Sequence, residues 1–172
     1  SHNIDHAIAV YNNTLKIADT IKIQLEYDIL TYAAMCHDVC DHKYENSIKP
    51  EVLINFITKQ IGDEKCKRVM DIINNISFSK QIKGLRQQLS YPDNIYLSIV
   101  SDADRLEAIG QIGIDRCIAY TEATGGKVPE DVIKHCHEKL LLLKDQYIVT
   151  EKGKKLAKPL HDVIQDYVDF AI

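Results

Sequence analysis

Apolar residues that recur at three- and four-residue steps constrain the fold of this 172-residue chain more than any other feature. Between Ile4 and Ile23 these steps place the apolar side chains on one face, which predicts an amphipathic helix. The stretch from Leu25 to Cys36 is more uniformly apolar and predicts a helix that is buried on most sides. No segment shows the sustained alternation of apolar and polar residues that is typical of strands. The sequence therefore predicts an all-α protein.

Proline, glycine and capping residues predict where the later helices begin and end. Pro50 predicts the start of a third helix that Gly62 closes, and Asp63 predicts the cap of a fourth helix that reaches about Ile76. Residues 77–90 have mixed periodicity and predict a loop with a short helix. The remaining chain predicts helices over 93–109 and 110–123, then two long helices that begin at Pro129 and Thr150.

Composition places the chain among globular proteins. A hydrophobic fraction of 45% and a charged fraction of 27% fit one domain over residues 1–172. The formal net charge of -4 gives no basic surface for duplex nucleic acid. The longest apolar run, Tyr32 to Cys36, is far too short to span a membrane, and no signal-like start is visible. Five cysteines without a Cys-x-x-Cys pair indicate reduced thiols, and we therefore expect a cytoplasmic protein.

The pair His37-Asp38 is the sharpest chemical feature, because it directly follows an apolar helix. Burying a charged side chain without a partner costs on the order of several kcal/mol. A metal ion at the helix end satisfies both side chains, and His6 and Asp104 offer a third and a fourth ligand. Each residue alone has a plainer explanation, since a single histidine on an apolar helix is more often a hydrogen-bonded core residue.

The order of these residues resembles the HD domain superfamily of metal-dependent phosphohydrolases, whose signature is His, then His-Asp, then Asp. Three segments carry the resemblance in sequence order, and it is strongest to the small YpgQ/YedJ-like HD hydrolases. It extends over nearly the whole chain. The matching segments are SHNIDHAIAV at 1–10, LTYAAMCHDVCDHKY at 30–44 and SDADRLEAIGQIGIDR at 101–116.

The resemblance implies a compact helical bundle with a central metal site. The implied ligands are His6, His37, Asp38 and Asp104. Asp102 competes with Asp104, because both have apolar neighbours at helical steps although they lie about 200° apart around the helix. The Ala-Asp-Arg-Leu pattern at 103–106 recurs in the ppGpp-hydrolase branch and favours Asp104. Two departures leave the ligands unchanged: Ala9 replaces a usual arginine, and Glu107 replaces a usual aspartate.

Two imidazoles and two carboxylates suit one divalent ion. Family precedent favours Mn²⁺ or Mg²⁺, and Fe, Co, Ni or Zn also suit mixed nitrogen and oxygen donors. Such an ion polarises a phosphoryl oxygen and activates water, and Asp38 is our candidate to orient that water. Arg105, Lys43 and Lys80 are candidates for contacting phosphate, with a surface position the favoured alternative for Lys80. Cys36 and Cys40 beside the pair are interpreted as buried thiols.

The resemblance further implies a hydrolase that acts on small nucleotides, with (d)NTP pyrophosphohydrolysis as the specific expectation. Other phosphate esters remain alternatives, because specificity depends on loops rather than on the fold. The alternative from another class is a catalytically weak HD module that binds a nucleotide or metal as a sensor or interaction domain. The expected partner is a small phosphorylated molecule, and the sequence leaves monomer and homodimer open.

Overall fold

The computed structural model of the chain describes residues 4–41 and 46–171. Within these ranges no residue belongs to a β-strand, and nine α-helices account for most of the chain. None of the described helices is both long and apolar enough to cross a bilayer. The predicted all-α class is therefore confirmed. The helices are α1 Ile4–Ala18, α2 Tyr27–Cys36, α3 Pro50–Ile61, α4 Asp63–Asn74, α5 Phe78–Lys83, α6 Asp93–Leu106, α7 Gly110–Ala123, α8 Glu130–Glu138 and α9 Glu151–Phe170.

The chain divides into two compact units, His2–Ser101 and Asp102–Ile172. In the first unit α1 and α4 each pack against α2, and α3 packs against α4. Its core is mostly aliphatic, with the fully buried Tyr96 as well, and the other side chains that are fully buried there include Val10, Ile29, Val69, Ile72 and Ile99. The second unit contains α7, α8 and α9 and buries Val132, Leu143 and Ile164. The expectation of one domain over residues 1–172 stays a prediction.

Several predicted boundaries agree with the structure because local chemistry sets them. Pro50 is the first residue of α3, and Gly62 ends that helix with φ of 90°, a conformation that side-chain-bearing residues rarely adopt. Thr150 caps α9, and its side-chain oxygen accepts a hydrogen bond from the Gly153 amide. The short helix predicted within residues 77–90 is α5.

Other boundaries differ from the prediction. α1 ends at Ala18 rather than Ile23, and the Thr20 hydroxyl donates to the Ile17 carbonyl at the turn that follows. The helix predicted from Pro129 is not one long helix. α8 ends at Glu138, a 3₁₀ turn covers Leu140–Leu142, and a π-helical segment covers Leu143–Tyr147.

An ion-pair cluster around Arg68 holds three elements of the first unit together. The Arg68 guanidinium on α4 donates to both carboxylate oxygens of Asp93 at the start of α6, at 3.1 Å from Nε, and to Glu26 Oε2 at 2.6 Å from Nη2. The Glu26 amide donates to the Tyr96 hydroxyl at 3.0 Å. The hydrogen bonds to Asp93 and Glu26 raise the pKa of Arg68, and an arginine is cationic at neutral pH in any case.

We expect Arg68→Leu to lower the free energy of unfolding by about 2 kcal/mol, because Asp93 and Glu26 lose a shared cation and then repel each other. Urea denaturation followed by circular dichroism measures the loss. Lys67→Ala is the matched control, since Lys67 pairs with Asp71 at 3.6 Å on an exposed part of α4 and should change stability by less than about 0.5 kcal/mol. Equal losses in the two variants would contradict a role for the cluster.

Candidate metal centre

Two buried imidazoles and one carboxylate converge in the first unit, at the contact between α1 and α2. His6 lies in the first turn of α1, and His37 directly follows the last residue of α2. Both histidines are buried, with 5% and 7% of their surface exposed. Nε2 of His6 lies 3.5 Å from Oδ2 of Asp38, and Nε2 of His37 lies 3.4 Å from the same oxygen. Three predicted ligands are therefore close together.

The His37 ring is oriented by its own helix. Its Nδ1 lies 2.7 Å from the carbonyl oxygen of Ala34, one turn earlier in α2. A carbonyl oxygen only accepts, so Nδ1 carries the proton and donates. In the neutral ring the lone pair is then on Nε2, the atom that faces Asp38. A main-chain acceptor on one ring nitrogen is the usual arrangement for a histidine that binds metal through the other.

The donor separations fit a shared cation. Neighbouring ligands about 2.1 Å from one ion lie roughly 3.0 Å apart in an octahedral site and roughly 3.4 Å apart in a tetrahedral site. The separations of 3.5 and 3.4 Å between Asp38 Oδ2 and the two imidazole nitrogens are close to these values. A direct hydrogen bond from nitrogen to oxygen is shorter, typically about 2.7–3.2 Å. The donor set is chemically suitable as well, because imidazole and carboxylate ligands together suit first-row divalent metals.

A cleft of about 280 Å³ opens over these donors. Its described lining belongs entirely to the first unit and combines the three polar donors with aliphatic side chains and two small polar residues. Sequence reasoning did not find the aliphatic and small polar residues, since no chemical signature marks them. The lining residues are Ile4, His6, Ala7, Met35, His37, Asp38, Val39, Asn46, Ser47 and Ile48.

Asp104 lies in the last turn of α6, and Arg105 beside it is its partner. The Arg105 guanidinium donates to Asp104 Oδ2 at 2.8 Å and is only 2% exposed. Burial lowers the pKa of Arg105, and the Asp104 carboxylate opposes that shift. The sequence predicted that Arg105 contacts substrate phosphate. The buried guanidinium bonded to Asp104 is placed to orient that carboxylate, and its contact with phosphate stays a prediction.

Asp102 is fully buried, and its hydrogen bonds hold the start of α9. Its carboxylate accepts from the Val149 amide at 3.1 Å, from the Thr150 amide at 2.7 Å and from the Thr150 hydroxyl at 2.6 Å. Burial raises the pKa of Asp102, and these hydrogen bonds oppose the shift. Gly153 fits against the group, because a Cβ there would lie 2.8 Å from Asp102 Oδ2 and 2.6 Å from Thr150 Oγ1. Asp102 thus has a complete set of donors from its own unit.

The other residues that the sequence singled out are two lysines and the two cysteines beside the His37-Asp38 pair. Lys43 lies outside the described residues. Lys80 is exposed on α5, and its ammonium donates to the Asn74 carbonyl, which accords with the surface position favoured for it. Burial raises the pKa of Cys36 to about 11 and also raises that of Cys40. Both thiols are half-buried rather than buried, so the interpretation as buried thiols is only partly right, and the raised pKa values favour the protonated thiols near neutral pH.

Comparison with known proteins gives a consistent family assignment. A model of the HD domain family matches residues 3–109. Protein YpgQ of Bacillus subtilis (strain 168) is 31% identical over 173 residues, which cover 97% of this chain and 81% of YpgQ. The crystal structure of YpgQ has a TM-score of 0.77 at 30% identity and covers 95% of this chain and 83% of its own.

Two further crystal structures extend the comparison. YpgQ in complex with ADP has a TM-score of 0.76 at 28% identity and covers 98% of this chain and 86% of its own. An HD-superfamily hydrolase from Bacillus thuringiensis has a TM-score of 0.75 at 27% identity and covers 98% of this chain and 83% of its own. The family match spans more than half of the chain and includes His6, the His37-Asp38 pair and Asp104. This chain therefore belongs to the HD domain family.

Proposed function

We propose that the protein is a metal-dependent phosphohydrolase that acts on small nucleotides. The observation that carries the proposal is the convergence of His6 Nε2 and His37 Nε2 on one oxygen of Asp38, at 3.5 and 3.4 Å, in the wall of a cleft. Membership of the HD domain family and the likeness to an HD-superfamily hydrolase support the hydrolase class. The complex of the related YpgQ with ADP supports a nucleotide.

We propose His6, His37, Asp38 and Asp104 as the ligands of one divalent cation. Two neutral imidazoles and two carboxylates together carry two negative charges, which a divalent ion neutralises. The hydrogen bonds of Asp102 to Val149 and Thr150 support Asp104 over Asp102 as the fourth ligand, because they already engage the Asp102 carboxylate. Mn²⁺ and Mg²⁺ are the ions we favour, on family precedent.

The cation, when bound, supplies Lewis-acid activation of a phosphoryl group and of the attacking water. The residues then have separate tasks. His37 presents Nε2 in a fixed direction, because the Ala34 carbonyl holds its ring. Asp38 keeps about a quarter of its side chain exposed to the cleft, so it is suited to accept a hydrogen bond from the nucleophilic water and to orient it. Arg105 fixes the direction of the Asp104 carboxylate through their hydrogen bond.

Activity measurements with defined substrates test the proposal. We expect metal-depleted protein to be inactive, and added Mn²⁺ or Mg²⁺ to restore hydrolysis of nucleoside mono-, di- or triphosphates. Release of pyrophosphate from a triphosphate would identify cleavage between the α- and β-phosphates, as the specific expectation of (d)NTP pyrophosphohydrolysis requires, whereas orthophosphate would identify removal of the terminal phosphate. Nucleotide binding without turnover under any metal would contradict the enzyme and favour a sensor.

A further inference from the structure

We propose that two exposed isoleucines at the rim of the cleft, Ile4 and Ile48, bind the nucleobase of the substrate and thereby select nucleotides over inorganic polyphosphates. The proposal rests on the proposed function and assigns specificity to residues that donate nothing to a metal. It concerns the first unit alone, since every described residue that lines the cleft belongs to it.

The two isoleucines are exposed although they line a concave site. Ile4 is 62% exposed at the start of α1, and Ile48 is 39% exposed in the segment before α3. They come from separate elements that both border the His6, His37 and Asp38 donors. A large aliphatic side chain left in water at the entrance of a binding cleft gains free energy when a ligand covers it.

The position of Ile48 is fixed by the main chain. Its amide donates to the Val39 carbonyl at 2.8 Å, and Val39 is the residue that follows Asp38. The side chain of Ile48 is therefore held beside the His37-Asp38 pair by a bond that does not depend on the side chain itself. We therefore expect a substitution of the Ile48 side chain to leave the hydrogen bond between Ile48 and Val39 intact.

The rest of the lining suits a heteroaromatic ring. Ala7, Met35 and Val39 are apolar, and a methionine thioether packs well against aromatic rings. Asn46 and Ser47 supply an amide and a hydroxyl, groups that hydrogen-bond the polar edge of a base. A nucleobase has both an apolar face and a polar edge, whereas inorganic phosphate and polyphosphate have neither. The chemistry of the wall therefore recognises the nucleoside part of a substrate.

The test compares Ile48→Ser with a control at equal exposure. Ile54 on α3 is also 39% exposed, and it is not among the described lining residues of the cleft, so Ile54→Ser removes the same side chain elsewhere in the same unit. We expect Ile48→Ser to raise KM for a nucleoside triphosphate about tenfold with kcat nearly unchanged, and Ile4→Ser to act in the same direction. Hydrolysis of inorganic tripolyphosphate by either variant should match that of the unaltered protein, and Ile54→Ser should change neither substrate.

A binding measurement separates this inference from the proposed function. Titration calorimetry with ADP and with pyrophosphate gives dissociation constants whether or not any substrate turns over. Weaker binding of ADP by Ile48→Ser, with unchanged binding of pyrophosphate, supports the base site even if the protein proves inactive. Equal effects of Ile48→Ser on the two ligands, or equal effects of Ile48→Ser and Ile54→Ser on ADP, overturn it.

Discussion

His37→Ala is expected to abolish the tightly bound divalent metal and to lower the rate of phosphate hydrolysis by on the order of 10³-fold, since metal stabilisation of a phosphoryl transition state contributes several kcal/mol. The Ala34 carbonyl orients the His37 imidazole. Substitution by alanine therefore removes a metal ligand that is held in the right direction. Metal analysis of purified protein by mass spectrometry and steady-state kinetics measure the two effects.

His137→Ala is the matched control for this variant. His137 is an exposed histidine on α8 in the second unit, so its loss should leave metal content and rate unchanged. Removal of the Asp38 carboxylate, in Asp38→Ala, should reproduce the loss seen for His37→Ala. Metal bound at the unaltered level in both variants would show that these residues are not ligands.

Asp102→Ala and Asp104→Ala are expected to have opposite effects on metal content, although the two aspartates are two residues apart on one helix. Asp102→Ala leaves the amides of Val149 and Thr150 without the carboxylate that accepts their part-buried hydrogen bonds, so we expect the free energy of unfolding to fall by about 2–3 kcal/mol while the folded protein retains its metal. Asp104→Ala should lose the metal, and it should also lower the free energy of unfolding, because the buried Arg105 guanidinium loses the Asp104 carboxylate. Metal content is therefore the result that separates the two variants. Denaturant titration of metal-free protein and metal analysis measure the two effects.

A surface aspartate provides the reference for both variants. Asp115 is exposed on α7 of the second unit, and Asp115→Ala should change stability by less than about 0.5 kcal/mol with full metal content. A loss of metal on Asp102→Ala with retention on Asp104→Ala would reverse our assignment of the fourth ligand.

Much of the fold was predictable because single residues determine the helix boundaries. Proline is favoured in the first turn of a helix, where Pro50 begins α3, and Gly62 has a φ of 90° that ends this helix. The break after α8 was not predictable, because the four consecutive leucines at 140–143 are apolar at every position and give no period. α1 ends early for a similar reason, since Ile21 and Ile23 continue its spacing although the backbone turns after Ala18.

The candidate site was partly predictable for a different physical reason. A histidine and an aspartate directly after an apolar helix need a compensating partner, and that requirement is visible in the sequence. The Ala34 carbonyl orients His37, and the Ile48 amide donates to Val39. Both are main-chain groups, so the residue types at these positions do not indicate the interactions. The burial of Asp102 was equally hidden, because its donors are amides nearly fifty residues away that become neighbours only in the folded unit.

The packing of α1 directly against α2 has a consequence for how the protein is made. His6, His37 and Asp38 all lie within the first forty residues of this chain, joined by one short connection between the two helices. Closing so short a loop costs little entropy, and contacts between near neighbours in sequence form early. During synthesis this helical pair and its three donors emerge before the later helices. A divalent ion captured there would stabilise the first unit while the ribosome is still adding the second.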